Sequence, residues 1–257
     1  MSLFDENCEI EQEDVDGHSL TTLTLLDDRY DEAVNQLSGI VPDHYIDPLS
    51  IAHTLERLGK PAAAEKLRAK LPQTKKIRSG DLGEILATEY VSEHTDYTVP
   101  IKKLRWCDHR EMAMRGDDVI GLRQQDDNPP LHFLKTEAKS RATASTQVLE
   151  EARAALDADE SRPAPHALAF VADRLREIGD IELADLIDEV QWKCGIKKQQ
   201  LEHLLFLFSG SHARQLQKNI LENYGGDIAQ KAATVRAKGH QAFVADVFEK
   251  VIDGLDD

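Results

Sequence analysis

The chain has 257 residues, 41% hydrophobic and 30% charged, which is enough apolar material for a sizeable core and excludes global disorder. A formal net charge of −16 argues against an autonomous, high-affinity DNA binder, because phosphate neutralisation by Lys and Arg supplies most nonspecific affinity. If nucleic acid is handled here, a local basic strip or a partner protein has to bring it.

Residues 1–16 carry seven carboxylates and no Lys or Arg, and are expected to be a solvated acidic tail; docking on a basic partner or mimicry of DNA is the alternative. The same end lacks the basic-then-apolar pattern of a signal peptide, and no run of about 18 apolar residues predicts a membrane-spanning helix anywhere. Residues 20–26, LTTLTLL, predict a strand, followed by a short helix near 28–37. Residues 50–71 read as two helices joined at Gly59 and Lys60, with Pro61 in the first turn of the second, where its missing N–H does no harm. A related apolar pattern returns at 169–190, where Gly179 aligns with Gly59; two amphipathic hairpins of like spacing account for it. Such hairpins could offer surface to a partner.

Between them, 79–94 predicts a helix capped by Ser79 or Asp81. Residues 97–104, YTVPIKKL, predict a strand edged by Pro100. Two further strands, 118–124 and 131–139, are separated by the turn sequence QDDNPP. A helix at 144–157, a buried strand at 201–210 and helices at 212–223, 227–238 and 241–253 complete the series. The order predicts an α/β fold, a mixed sheet flanked by helices. It divides into an N-terminal extension (1–78), a core with an inserted helical hairpin (79–210) and a C-terminal helical segment (211–257).

Residues two apart on a strand share a face, so Glu137 and Lys139 point one way and Ala138 the other. Asp118 opens the preceding strand, and a hairpin could bring it beside Glu137. Neighbouring carboxylates repel unless a cation lies between them. Magnesium fits, since it takes oxygen ligands and keeps several waters beside one or two carboxylates. Lys139 could then orient or deprotonate an attacking water and steady the developing charge on phosphorus. Asp117 competes with Asp118, but adjacent strand residues face opposite sides, and Asp118 leads into Val119-Ile120-Gly121. The plainer readings are a turn closed by both aspartates, a surface ion pair between Lys139 and Glu137, and a Glu84 that simply suits the first turns of its helix.

Lys102, Lys103 and Arg105, beside Trp106, form the best local basic strip, and Lys135 and Arg141 flank the Glu-x-Lys; all five are candidates to contact DNA phosphates. An edge strand bearing lysines is the alternative for the strip. Cys8, Cys107 and Cys194 form no CxxC or Cys/His cluster, so neither a disulfide framework nor a zinc site is expected, and a reducing cytoplasm is the expected home. The ten histidines contain no HExxH, and His203 and His212, at the ends of one strand, read as structural. There is no Walker A sequence, so ATP hydrolysis would belong to a partner.

Glu84 in LGE (82–84), Asp118 in RGDDVIG (115–121) and Glu137-Ala138-Lys139 in KTEAKS (135–140) follow one another on a helix, a strand and a strand. Over about 79–145 this set resembles the PD-(D/E)xK nuclease core and, more narrowly, the HamA family, the nuclease subunits of Hachiman antiphage defence. The resemblance implies a metal-dependent deoxyribonuclease with Glu84, Asp118, Glu137 and Lys139 as its catalytic set. Asp118 and Glu137 would ligate Mg2+ or Mn2+. It also implies a HamB-like helicase that restrains the nuclease and senses aberrant DNA. The rival from another class is a noncatalytic adaptor that keeps the nuclease fold and binds a partner protein. A stand-alone restriction-type endonuclease is a further alternative, and the negative charge counts against it.

Overall fold

A computed structural model describes residues 2–114, 116–125 and 130–256. The sheet is built around β5 (Leu201–Ser209), LEHLLFLFS, which is buried along nearly its whole length. A near-continuous apolar run of this kind suits a strand covered on both faces. It pairs in parallel with β4 (Leu131–Arg141) on one side and with β6 (Ala229–Arg236) on the other. Beyond β4 lies the antiparallel β3 (Val119–Gln124). Beyond β6 lie β2 (His18–Leu25), parallel to it, and then β1 (Cys8–Val15), antiparallel to β2. Among the described residues the order is β1-β2-β6-β5-β4-β3, a six-stranded mixed sheet.

The two faces of β5 sort the helices. Leu204, Phe206 and Phe208 join a core built with α2 (Tyr30–Tyr45), α5 (Lys75–His94) and α10 (His240–Asp256). Leu205 and Leu207 face the opposite way, against Leu149, Ala152 and Leu156 of α6 (Thr146–Asp157). On that same side α7 (Pro165–Ile178) and α8 (Ile181–Glu189) cover Phe133, Ile120 and Leu122, and α9 (Arg214–Glu222) covers Leu20 and Ala232 through Leu221. The result is an α/β/α sandwich. Full burial of a side chain such as Phe206 contributes about 1.5–3 kcal/mol.

The first sixteen residues are not a solvated tail. Leu3–Asn7 form a short helix, α1, whose Phe4 is 1% exposed and packs edge-on against Tyr90 and His94. Glu93 accepts the Ser2 hydroxyl and the Leu3 and Phe4 N–H groups, tying this helix to α5. The carboxylates that follow line β1, and Glu11 and Glu13 pair with Arg214 of α9 at 2.7 and 2.8 Å. The strand expected over 97–104 reduces to a single bridge, Thr98 to Leu122, followed by a 3-10 turn at Lys103–Trp106. Pro100 has no N–H to extend a ladder there. Residues 229–236, expected to be helical, form β6, where Gln230, Ala232 and Thr234 alternate with Lys231, Ala233 and Val235.

Other boundaries move less. The helix α2 continues to Tyr45, and α5 starts at Lys75 under a Thr74 cap rather than at Ser79 or Asp81. The two expected hairpins form, as α3 (Pro48–Leu58) with α4 (Lys60–Lys70) and as α7 with α8. Gly59 supplies the positive φ, +83°, that the first junction needs and that few other residues would tolerate. Of the expected QDDNPP turn, residues 126–129 lie outside the described residues, as does Arg115; the flanking Gln125 N–H donates to the Pro130 carbonyl at 2.8 Å. Among the described residues no helix is long and apolar enough to cross a membrane.

Candidate active site

A close helix–strand contact sets the site. A Cβ on Gly83 would stand 3.0 Å from the Ser140 Cβ, so the glycine lets α5 lie directly over the end of β4. The Ser79 and Ser140 hydroxyls, 2.8 Å apart, make a second tie between the same elements. Glu84, the next residue on α5, is thereby carried to the β3–β4 hairpin. Val119 pairs with Thr136, so Asp118, one step before the ladder, stands opposite Glu137. Its Oδ2 accepts the Ala138 N–H at 2.9 Å, which clamps the carboxylate across the hairpin. Asp117 turns elsewhere: its Oδ2 accepts the Ala164 N–H at 2.7 Å and its Oδ1 lies 3.6 Å from the Lys135 ammonium.

Glu137 and Lys139 share a face of β4 and form an ion pair with each other. From the 3-10 turn, Lys103 reaches to 3.5 Å from Glu84 Oε2 and donates to the Asp117 carbonyl at 3.0 Å. Glu84, Asp118, Glu137 and Lys139 all line one cleft of about 570 Å³. A second cleft of about 510 Å³ touches Glu84 and Asp118 from the Lys103 side.

Helix, aspartate and Glu-x-Lys thus meet in the order in which the sequence carries them, and the family profile of HamA matches residues 1–251. The chain belongs to the HamA family. It is 30% identical over 156 residues to a Hachiman protein HamA from Bacillus cereus, a match that takes in 61% of this chain and 55% of that relative. The chain therefore matches about half the length of the relative.

In this HamA-family chain burial raises the carboxyls of the site, and Lys103 and Lys139 offset part of that rise. Burial lifts the Glu84 carboxyl to about 8, against the pull of Lys103 and with the help of Asp118 and Asp81. Burial and the neighbouring Asp118 lift Glu137 to about 7, although Lys139 opposes the rise. Asp118 is also raised by burial, while Lys103 and the Ala138 N–H hold it down. Burial alone would lower the Lys103 ammonium, but Glu84 and Asp118 outweigh it and hold that group above its ordinary value. A divalent ion would relieve this mutual repulsion. The donors are all carboxylate oxygens, which suits Mg2+ or Mn2+ and not a thiophilic metal. Among the described residues no three His, Cys, Asp or Glu side chains converge into a ready-made cage. An ion here would rely on two carboxylates and on waters or phosphate oxygens, the usual habit of magnesium.

The five candidate DNA contacts are dispersed. Lys102 pairs with Glu89 at 3.6 Å, Lys103 lies within the site, and Arg105 donates to the Asp43 carbonyl at 2.7 Å near Asp47. Lys135 is 2% exposed and donates to the Ala158 and Arg162 carbonyls at 2.9 Å each, which takes it off the surface. Arg141 is exposed on the rim of the cleft. Sequence reasoning missed Lys103 as a neighbour of Glu84, and Asp81, whose carboxyl burial raises to about 6 while the Tyr45 hydroxyl donates to it at 2.7 Å. The spacing of Asp81 and Glu84, three apart on one helix face, was the available signal for the second.

Proposed function

We propose that this chain is a metal-dependent deoxyribonuclease of the PD-(D/E)xK type. The observation that carries the proposal is the clamp of Asp118 opposite Glu137 in a cleft that also holds Lys139 and Glu84. In this reading Asp118 and Glu137 hold Mg2+ or Mn2+, and Glu84 supports them from α5. The bound ion supplies a lower pKa for water and polarisation of the phosphate. The Lys139 ammonium, paired with Glu137, orients the attacking water and steadies the charge that develops on phosphorus, while the proton of the water passes to solvent. Attack is in line and direct, with no covalent intermediate on the protein.

The family resemblance extends the proposal to antiphage defence in the cytoplasm, with DNA as substrate and a HamB-like helicase as the partner that restrains and delivers the nuclease. A net charge of −16 supports that dependence, since it weakens unaided binding to DNA. The test is cleavage of supercoiled and linear DNA with Mg2+ or Mn2+, run beside folded Glu137→Ala and Lys139→Ala variants. Metal-dependent cutting that either substitution abolishes is the expected outcome, with the helicase and DNA added if the isolated chain is silent. Silence in both settings, or cutting that survives both substitutions, would replace this reading with a partner-binding adaptor of nuclease-like fold.

A further inference from the structure

Most cations of this chain that flank the site are already matched to carboxylates: Lys102 to Glu89, Lys103 to Glu84, Arg105 to Asp47, Lys135 to Asp117 and Lys139 to Glu137. One end of the catalytic cleft departs from that rule. Lys75, Lys76 and Arg78, in the first turn of α5, and Arg141, at the end of β4, line the same cleft as Glu84, Asp118 and Glu137. Among the described residues, Lys75 and Lys76 are exposed and have no hydrogen-bond or ion-pair partner. Arg78 donates to the Pro72 carbonyl at 2.9 Å and lies over the Phe248 ring, and Arg141 donates to the Ser140 carbonyl at 2.8 Å; among the described residues neither is neutralised by a carboxylate. Among the described residues, the only acidic groups lining this cleft besides the site carboxylates are Asp81, bonded to Tyr45, and the exposed Glu249.

We propose that Lys75, Lys76, Arg78 and Arg141 form a seat for the nucleic-acid backbone flanking the scissile phosphodiester. The inference rests on the nuclease reading and names where its substrate lies. The placement is graded by charge: a carboxylate end that takes a cation adjoins a cationic end that takes phosphates, and a phosphodiester chain needs both. Lys75 stands nine positions before Glu84 on α5. At 1.5 Å per residue that is about 13 Å along the helix, roughly four nucleotides at 3.4 Å per step of one strand. The seat is thus long enough to hold the chain on one side of the cut. It also supplies the local basic strip that so acidic a chain requires if it is to touch DNA at all.

The test measures binding by fluorescence anisotropy of labelled single-stranded and duplex 20-mers, in a Glu137→Gln background, from 50 to 200 mM salt. A Lys75→Gln/Lys76→Gln/Arg141→Gln variant is compared with Lys193→Gln/Lys198→Gln/Lys238→Gln, which removes the same charge from exposed sites outside the cleft. The expected result is at least a tenfold loss of affinity at the lowest salt for the cleft variant, and a salt slope shallower by roughly 2 to 3 units. The control should stay within about twofold. Equal losses in both variants, unchanged binding by the cleft variant, or no measurable binding by the parent would overturn the proposal. So would competition by inorganic polyphosphate as strong as that by the oligonucleotide. Cleavage by the wild-type chain is read separately. A chain that binds through this seat and cuts nothing keeps the seat and loses the nuclease assignment. Cutting by the cleft variant in the Glu137-intact chain with unchanged KM keeps the nuclease and removes the seat.

Discussion

Lys135→Met tests why Asp117 and Asp118 have parted company. The Lys135 side chain is 2% exposed, and its ammonium donates to the Ala158 and Arg162 carbonyls at 2.9 Å each while lying 3.6 Å from Asp117. Methionine keeps the length of the side chain and removes the charge and the donors. Two buried carbonyls then lose a charged donor, and Asp117, 8% exposed, keeps only the Ala164 N–H. Stranding one partner of a buried pair costs about 3–5 kcal/mol. At roughly 2–4 °C per kcal/mol for a chain of this size, the melting temperature should fall by on the order of 10 °C. Urea denaturation supplies the free energy, and Asp117→Asn completes a double-variant cycle. If the uncompensated carboxylate carries much of the cost, the double variant should recover about 1–3 kcal/mol relative to additivity. A loss below about 1 kcal/mol for Lys135→Met, or strict additivity in the cycle, would refute the account of Asp117 as a structural anchor.

Phe4→Ala should lower unfolding free energy by about 3–5 kcal/mol in urea, because its ring is buried against Tyr90 and His94; a solvated tail would give no change. Saturating Mg2+ or Mn2+, at about 100 times Kd, should stabilise the chain by about 2.7 kcal/mol relative to EDTA, as read by thermal melting. Asp118→Asn and Glu137→Gln should each remove that increment and cut cleavage at least ~10²-fold while leaving the metal-free protein no less stable; an undiminished increment would take both residues out of the metal site. His203 is held neutral by burial, its pKa pushed down to about 4, with its Nε2–H donating to the Ser161 carbonyl and Arg153 donating to its Nδ1 at 2.7 Å. A depressed histidine stabilises fully above its unfolded value near 6.5 and progressively less as pH falls toward 4. About 3 kcal/mol should be lost across that window. The difference in stability between wild type and His203→Asn, followed by urea denaturation from pH 7 to 4, should shrink by that amount; a constant difference would refute it.

What could be read in advance was local. Glu137 and Lys139 share a face because a strand alternates, and Asp118 meets Glu137 because a hairpin folds back on itself; both facts sit within a few residues of one another. The errors arose where a partner lay far along the chain. Glu11 and Glu13 looked like part of a tail because Arg214, which neutralises them, is some 200 residues away. Lys102, Lys103 and Arg105 looked like a free basic strip because Glu89, Glu84 and Asp47 are supplied by other elements. Residues 229–236 carry Ala232 and Ala233 and so favour a helix by propensity, yet parallel pairing with β2 and β5 overrides that preference. In the same way Ser79 and Asp81, both good caps, place the expected helix start after KKIR at 75–78 and so hide the cationic end of the cleft, whereas α5 opens at Lys75 under Thr74.

The position of β6 has a consequence for how the protein is made. This strand bridges β2 and β5, so until residues 229–236 have left the ribosome the nascent chain holds two half-sheets, each with an open edge facing the other. At about 5–20 residues per second the stretch from Ser209, which ends β5, to Arg236, which ends β6, takes roughly 1–5 seconds, with the apolar edge of β5 available for unwanted pairing. His240 and Gln241, which line the cleft, follow β6 in the chain. The cleft is therefore completed after the sheet is joined, and a ribosome-bound chain short of this point carries its Glu-x-Lys without a finished groove to lay a strand in.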